Sequence, residues 1–482
     1  MKKKVLSVVL SVAMVATLLA GCGAAAEAPA ADAPAAEEPA AAEEPAAEEP
    51  AAAEEVAEAP AEGDNVINLW SFTDEIPGMV DKFLEANPDF GYTVNTTIIA
   101  TTDGAYQPAL DAALAAGGAE APDIYAAEAA FILKYSQGDA CQYAAPYKDL
   151  GIDVDAEIKD ADIAQYTVDI GTNPDGDVVA LGYQATGGAF IYRRSIAKDV
   201  FGSDDPETVA AEIGAGSQNF DKFFEAAEKL KAKGYAIVSG DGDLWHAVEN
   251  SSDQGWIVDG KLTIDPKREA FLDYSKTLKD NGYHNDTQDW TDAWFADMKD
   301  EGPKGVFAFF GPAWLINYTL APNCGGEAVG EGTYGDWAVC APPVGFFWGG
   351  TWVLANKDST KKEAVGKIID WITLNCTQDG LQYKWANGTL NGEGGTKDCV
   401  ASGTVMAMSD GSLDFLGGQN MFDAFVPANQ YANGKNLTQY DETINSYWRD
   451  AVRQYTSGEK DRETAIADFK TNVGDNLDVI VE

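Results

Sequence analysis

Histidine is almost absent from this chain: His246 and His284 are the only two in 482 residues. Cysteine is sparse as well, six in all, with no Cys-x-x-Cys spacing. A zinc centre or a Ser/Cys–His catalytic apparatus therefore has little to be built from, and both histidines read as structural or surface residues. Positive charge is the third shortage. Thirty-three Lys and Arg face 78 Asp and Glu, a formal net charge of −45, which argues against nucleic-acid binding through phosphate neutralisation and favours neutral or cationic partners. Beyond the first 22 residues no stretch is long and apolar enough to span a bilayer.

The chain opens with Lys2, Lys3 and Lys4 ahead of an apolar run from Val5 to Leu19, the pattern of an export signal too short for a stable membrane span. Its end, Leu19-Ala20-Gly21-Cys22, resembles a bacterial lipobox. Residues 1–22 are thus expected to be a lipoprotein signal peptide, with Cys22 the lipidated N-terminus that anchors the mature protein on the outer face of the cell membrane. Residues 23–64 repeat Ala, Glu and Pro, as in Pro34-Ala35-Ala36-Glu37-Glu38-Pro39. Proline interrupts any helix and like charges repel, so the expectation is a disordered tether reaching on the order of 100 Å when extended. Five cysteines remain after Cys22, an odd number. Cys324 with Cys340 and Cys376 with Cys399 are nearest in sequence, but spacing alone leaves the pairing open.

From residue 65 the periodicity alternates between strand and helix. Val66 to Trp70 is a short apolar strand, and Ile76, Met79, Val80, Phe83 and Leu84 recur at helical spacing up to Asn87-Pro88. Tyr92 to Ile99 is the next strand. A helix closed by Gly117-Gly118 follows, and Asp123 to Ala126 begins a third strand. Such βαβ alternation predicts a mainly parallel sheet covered by helices on both sides, with ligands held in loops at the carboxyl ends of the strands. Those loops are Ser71 to Glu75, Thr101 to Gly104 and Ala127 to Ala129.

Several segments in order carry a resemblance. They are the strand ending in Trp70, Ala115-Ala116-Gly117-Gly118, Pro122-Asp123-Ile124, Leu181 to Tyr192, Phe309-Phe310-Gly311-Pro312-Ala313-Trp314, Trp348-Gly349-Gly350-Thr351-Trp352 and the helix Lys361 to Leu374. Together with the lipobox, they resemble the extracellular solute-binding proteins, family 1, of carbohydrate ABC importers. The resemblance implies an α/β, two-lobed, type II periplasmic-binding-protein-like fold with discontinuous domains and a ligand cleft between the lobes. It places the N-terminal lobe in 65–180 plus 344–392 and the C-terminal lobe in 181–343 plus 393–482. It also implies ABC permease subunits as partners, a monomer, and neither catalysis nor a cofactor.

The residue types point to sugar on their own account. A pyranose offers an apolar C–H face to an indole ring and a rim of hydroxyls to carboxylates and amides, so its site needs both kinds of side chain. Twelve Trp and 19 Tyr supply the rings. Trp245, Trp314, Trp348 and Trp352 stand beside Gly, Pro or Asp where loops are expected, and are the candidate stacking residues. Asp74, Glu75, Asp103, Glu128 and Asn250 are the polar candidates, joined by Tyr183 and Gln184 after the first predicted crossing. Trp371 and Trp385 read as packing. The turns Asn173 to Asp177 and Asp241 to Asp243 are rich in Asp but lack the spacing of an EF-hand, so no metal is expected.

Two function classes follow: a receptor that delivers a neutral oligosaccharide to a permease, or a tethered glycoside hydrolase with paired carboxylates among its many acids. The ordered motifs favour the receptor. A non-sugar ligand on the same fold is a third reading.

Overall fold

The computed structural model describes residues 65–101, 104–392 and 394–481. Residues 1–64, with the expected signal peptide, Cys22 and the tether, lie outside them, as does Asp103. No helix among the described residues is long and apolar enough to cross a membrane.

The first sheet is laid down by the expected alternation. Strands β1 (Val66–Ser71), β2 (Thr93–Ile98) and β3 (Ile124–Glu128) are joined by helices Glu75–Ala86 and Tyr106–Ala116. The first helix turns Ile76, Met79, Val80 and Phe83 onto the sheet, each at most 4% exposed. Burial of such a side chain is worth roughly 1.5–3 kcal/mol, which outweighs local helix propensity in fixing the helix on the sheet. It stops at Asn87, whose Nδ2 donates to Phe83 O at 2.8 Å, just ahead of Pro88. β3 runs down the middle with residues 124–127 all buried, because strands flank both its edges and helices cover both its faces.

Strand β4 (Ala180–Gly182) ends the first lobe's opening passage, and β5 (Ala189–Arg193) begins a second sheet. The apolar run from Leu181 to Tyr192 is therefore not one buried strand; residues 183–188 cross between the sheets. After the small hairpin of β6 (Ile257–Val258) and β7 (Lys261–Leu262), strands β8 (Ala308–Gly311) and β9 (Trp337–Cys340) flank β5 in the order β8-β5-β9, all antiparallel. Residues 341–350 then return the chain to the first sheet as β10 (Thr351–Ala355), which lies antiparallel between β3 and β4.

The first sheet thus has the order β2-β1-β3-β10-β4, parallel only across β2-β1-β3. Four of its five strands nevertheless run the same way, as the alternation predicts; β10 alone runs against them, and the second sheet is antiparallel. A strand that arrives from the other lobe enters at the edge where β1 and β3 end, and so must run against them.

Asp123 locks this return in place. Its carboxylate, 5% exposed, accepts from Asn68 N (2.8 Å), Ser359 Oγ (2.6 Å) and Lys361 Nζ (2.8 Å), tying β1, β3 and the turn after β10 to one buried charge. The second lobe has its own core, built on Phe190, Phe223, Phe271, Phe310, Trp256 and Trp448. Near the C-terminus, Ala401 N donates to Tyr183 O and Ser402 Oγ to Ala161 O, both on the first-lobe side. Further on, the Gln419 side chain brackets Val339, covering the free edge of β9. All five described cysteines are free thiols, so neither pair that is close in sequence forms a disulfide.

Candidate functional site

The segment Phe347 to Gly350, which carries the chain back into β10, is held by four different elements. Phe347 O accepts from Asn250 Nδ2 (3.0 Å), Trp348 O from Trp314 Nε1 (3.0 Å), Gly349 O from Thr186 Oγ1 (2.8 Å) and Gly350 O from Ala129 N (3.0 Å). Four consecutive carbonyls are thereby satisfied from both lobes and from the crossing 183–188. Gly349 has φ +73°, the left-handed backbone that calls for glycine, although a Cβ there would meet the Trp314 indole only at ordinary contact, 3.4 Å from its nitrogen.

Around this segment the structure gathers three indoles. Trp314 and Trp348 meet with centroids 4.7 Å apart at 61°, and Trp290 lies nearly parallel to Trp314 (6.2 Å, 14°) and edge-on to Trp348 (5.9 Å, 67°). All three are only partly buried. The His246 imidazole covers Trp348, its centroid 3.5 Å away and its plane within 14°. Trp290 holds φ +64°, in the left-handed region that a bulky residue rarely occupies, at a cost of about 1–3 kcal/mol. The surrounding packing therefore over-determines where that ring sits. Trp290 was not among the sequence candidates; its only signal was the polar run Asn285 to Asp289 just before a helix that starts at Asp292.

His246 is buried, and its Nε2 lies 3.3 Å from Asp289 Oδ2, an ion-pair distance whose geometry is too bent for a hydrogen bond. Burial pushes the imidazole pKa down, against the opposing effect of Asp289. Burial would raise Asp289, but His246 and Arg449 hold its carboxyl well below the usual range. His284 is structural: its Nδ1 accepts from Asp286 N at 2.6 Å.

Two of the four expected stacking residues sit in the core instead. Asp241 to Trp245 is not a loop but the start of helix Asp241–Glu249, because Asp243 Oδ2 accepts from Ser239 N (3.0 Å) and Gly240 N (3.1 Å) and so caps the first turn. On that helix Trp245 points into the second core against Phe271, with 3% exposed, while its neighbour His246, about 100° round the axis, meets Trp348. Trp352 on β10 is 1% exposed and donates from Nε1 to Thr167 O at 3.1 Å. Asn250 is spent on Phe347 O.

The polar candidates form two groups. In the first, the Tyr183 hydroxyl donates to Glu75 Oε1, and Gln184 Nε2 donates to Asp398 Oδ2 at 2.9 Å. Burial raises the pKa of both carboxyls, that of Asp398 to about 7; the Tyr183 hydroxyl opposes the rise at Glu75, Asp74 adds to it, and Glu75 in turn adds to that of Asp398. Tyr318, half exposed, feels the Glu75 and Asp398 charges, and Trp385 meets Tyr183 edge-on at 5.8 Å. Asp398 is a further residue that sequence reading missed, 214 positions from its partner Gln184. The second group holds Glu128, at the end of β3 opposite Thr351. Burial raises it to about 7, the N–H of Ala130 (2.8 Å) lowers it, and Glu442 and Glu249 of the second lobe raise it further. Asp74 is exposed and makes no cap hydrogen bond.

Among the described residues, no group of three or more His, Cys, Asp or Glu is arranged to hold a metal ion. The Asp-rich turn at Asn173 is closed by its own side chain, which accepts from Asp175 N and Asp177 N.

Two sheets, joined by several crossings and carrying a cluster of indoles and carboxyls at their junction, are the two-lobed architecture of a solute-binding protein. The sequence matches the bacterial extracellular solute-binding protein family over residues 70–378, and the chain belongs to that family. Solved structures agree in fold. The galacto-N-biose/lacto-N-biose I-binding protein of an ABC transporter from Bifidobacterium longum, in complex with lacto-N-biose, is similar at TM-score 0.63 and 16% identity, over 88% of this chain and 100% of that one. The sugar-binding protein MalE from Xanthomonas citri gives TM-score 0.64 at 15% identity, over 85% and 96% of the two chains. An ABC transporter-associated binding protein from B. animalis subsp. lactis, in complex with β-1,6-galactobiose, gives TM-score 0.56 at 19% identity, over 85% and 97%. No curated protein matches the chain.

Proposed function

We propose that the protein is the substrate-binding component of an ABC importer, and that it captures a neutral oligosaccharide between its lobes and delivers it to membrane permease subunits without chemical change. The observation that carries this reading is the Trp290–Trp314–Trp348 cluster at the lobe junction. Its rings offer apolar faces for sugar C–H groups, and the nearby carboxyls offer partners to sugar hydroxyls. The saccharides bound by the solved relatives support the class of ligand.

In this reading Trp314, Trp348 and Trp290 contact the ligand directly and Glu75 and Glu128 serve its hydroxyls, while Tyr183, Gln184 and Asp398, buried and bonded to their neighbours, position that group from behind. The moving bodies are residues 65–180 with 344–392 and residues 181–343 with 393–482, with residues 181–182 of β4 and residues 399–406 travelling with the first. Cys22 carries a lipid anchor, residues 23–64 hold the receptor away from the membrane, and the protein acts as a monomer.

The test is calorimetric titration with xylo-, manno-, malto-, galacto- and fructo-oligosaccharides, followed by an assay for new reducing ends. Binding of at least one series without release of reducing ends is expected. Release of reducing ends would replace the receptor by a tethered glycoside hydrolase. Tight binding of an amino acid or peptide, with no saccharide bound, would move the ligand out of the sugar class. For the anchor, Cys22→Ala should move the protein from the membrane fraction to the medium or leave it unprocessed.

A further inference from the structure

Gly242 and His246 stand one turn apart on helix Asp241–Glu249, so they share a face. A Cβ at Gly242 would come within 2.5 Å of Asp289 Oδ1, and the missing side chain is therefore the space in which the Asp289 carboxylate sits. From there Asp289 Oδ2 reaches His246 Nε2 at 3.3 Å. The imidazole in turn lies flat on Trp348, with centroids 3.5 Å apart. The residue after Asp289 is Trp290, whose ring meets the same indole edge-on.

The loop that supplies Asp289 and Trp290 is seated at a second point. Asn285 N and Thr287 N both donate to Ser239 O, at 3.0 and 3.3 Å, and a Cβ at Gly240 would stand 1.8 Å from Thr287 O. Gly240 and Gly242 together let the loop lie directly on the start of the helix. His246 is 7% exposed, and among the described residues neither of its ring nitrogens makes a hydrogen bond. What fixes the imidazole plane is the stack on Trp348 and the contact with Asp289.

We propose that Asp289 and His246 are positioning residues of the ligand site: Asp289, seated over Gly242, holds the imidazole against one face of Trp348 while the adjoining Trp290 is set against that indole, so one loop places two of the three rings together. It follows that no sugar ring stacks on the face of Trp348 that His246 covers. The inference deepens the saccharide-receptor reading and rests on it for the nature of the ligand.

The experiment uses the full mature chain with histidine labelled with carbon-13 at Cε1. Only two histidines are present, and His284, held by the Asp286 N–H, serves as the reference. The Hε1 signal of His246 is expected upfield of that of His284, displaced by the Trp348 ring current, and Trp348→Leu should remove the displacement. Asp289→Ala should reduce it by about half or more, and so should Gly242→Ala, whose methyl group takes the place of the carboxylate. Alanine is the better helix former, so Gly242→Ala should melt no lower than wild type, which separates a lost position from a lost fold. Asp289→Asn keeps the shape and an oxygen for Nε2, and should keep the displacement.

Calorimetry with β-1,6-galactobiose, lacto-N-biose and maltotriose gives the second readout. Affinity for whichever sugar the wild type binds should fall about fivefold or more in Asp289→Ala and Gly242→Ala, and about twofold at most in Asp289→Asn. A His246 signal that neither Asp289→Ala nor Gly242→Ala moves overturns the proposal, as does undiminished saccharide affinity in both variants once the signal has moved. If the wild type binds none of the three sugars, that counts against the receptor reading, and the placing of the rings by Asp289 stands or falls on the imidazole signal alone.

Discussion

The indole nitrogen of Trp314 donates to the main-chain oxygen of Trp348 across 3.0 Å, while the two rings meet at 61°. One aromatic residue of the cluster therefore holds the backbone of another. The bond uses the edge of the Trp314 ring and leaves its π surface to Trp290, and it attaches the helix that begins at Ala313 to the strand return at Gly349.

Trp314 can be separated into donor and face. Trp314→Phe keeps an aromatic face and loses the N–H, which should weaken saccharide binding by about 0.5–1.5 kcal/mol, roughly two- to twelvefold. Trp314→Ala loses both and should cost about 1–3 kcal/mol, roughly five- to 150-fold. Titration calorimetry with the best saccharide checks this. Equal losses in the two variants would mean that anchoring Trp348, and not stacking, is the contribution of Trp314.

Trp245 and Trp290 should behave differently. Trp245 is core, so Trp245→Ala is expected to lower unfolding stability by about 3–5 kcal/mol in urea while the folded fraction still binds sugar. Trp290→Ala loses packing that holds a left-handed backbone, so it should lower the urea midpoint, though less than Trp245→Ala, and weaken binding about five- to 150-fold. A Trp245→Ala protein of normal stability and poor affinity would return that residue to the cleft.

Stability should fall as pH rises. The Asp398 carboxyl titrates at about 7 in the folded protein, against about 4 for a free Asp, so between those values the folded state holds a proton that the unfolded chain has released. Glu128 and Glu249 add to the same trend. Melting temperature should decline from pH 5 to pH 8. Asp398→Asn removes the titrating group but keeps only one oxygen where Gln184 Nε2 and the Cys399 N–H bind two, so it should flatten the pH profile of the melting temperature between pH 5 and pH 8 while lowering stability at pH 5. A wild-type melting temperature that climbs from pH 5 to pH 8 would contradict the assignment.

The thiols give a simple count. Cys141 and Cys376 are half-buried and Cys324, Cys340 and Cys399 buried, all free. Iodoacetamide should label the first two in the native protein and all five after unfolding, with no reductant added, and reductant should leave the melting temperature unchanged. Fewer than five labelled on unfolding, restored by reductant, would reveal a disulfide.

The elements whose form depends on near neighbours were legible in the sequence. Helix Glu75–Ala86 follows from apolar residues at helical spacing and the Asn87-Pro88 stop, and β1 and β3 from short apolar runs, because periodicity and chain-stopping residues act over a few positions. Composition likewise announced a shortage of catalytic and metal-binding side chains and a surplus of indoles. Tertiary structure decided the rest. The local pattern around Gly240 to His246 does not say which side of a helix faces the cleft, so Trp245 went to the core and His246 to Trp348. Trp290 reaches the cluster through a left-handed backbone in a polar loop, which no periodicity marks. Asp398 matters because a return of the chain brings it to Gln184 and near Glu75, and β10 runs antiparallel because it re-enters from the other lobe. In each case the deciding contact joins residues far apart in the chain. Burial, register and electrostatic environment at such contacts are set by the packing of whole lobes, which a reading of adjacent residues does not contain.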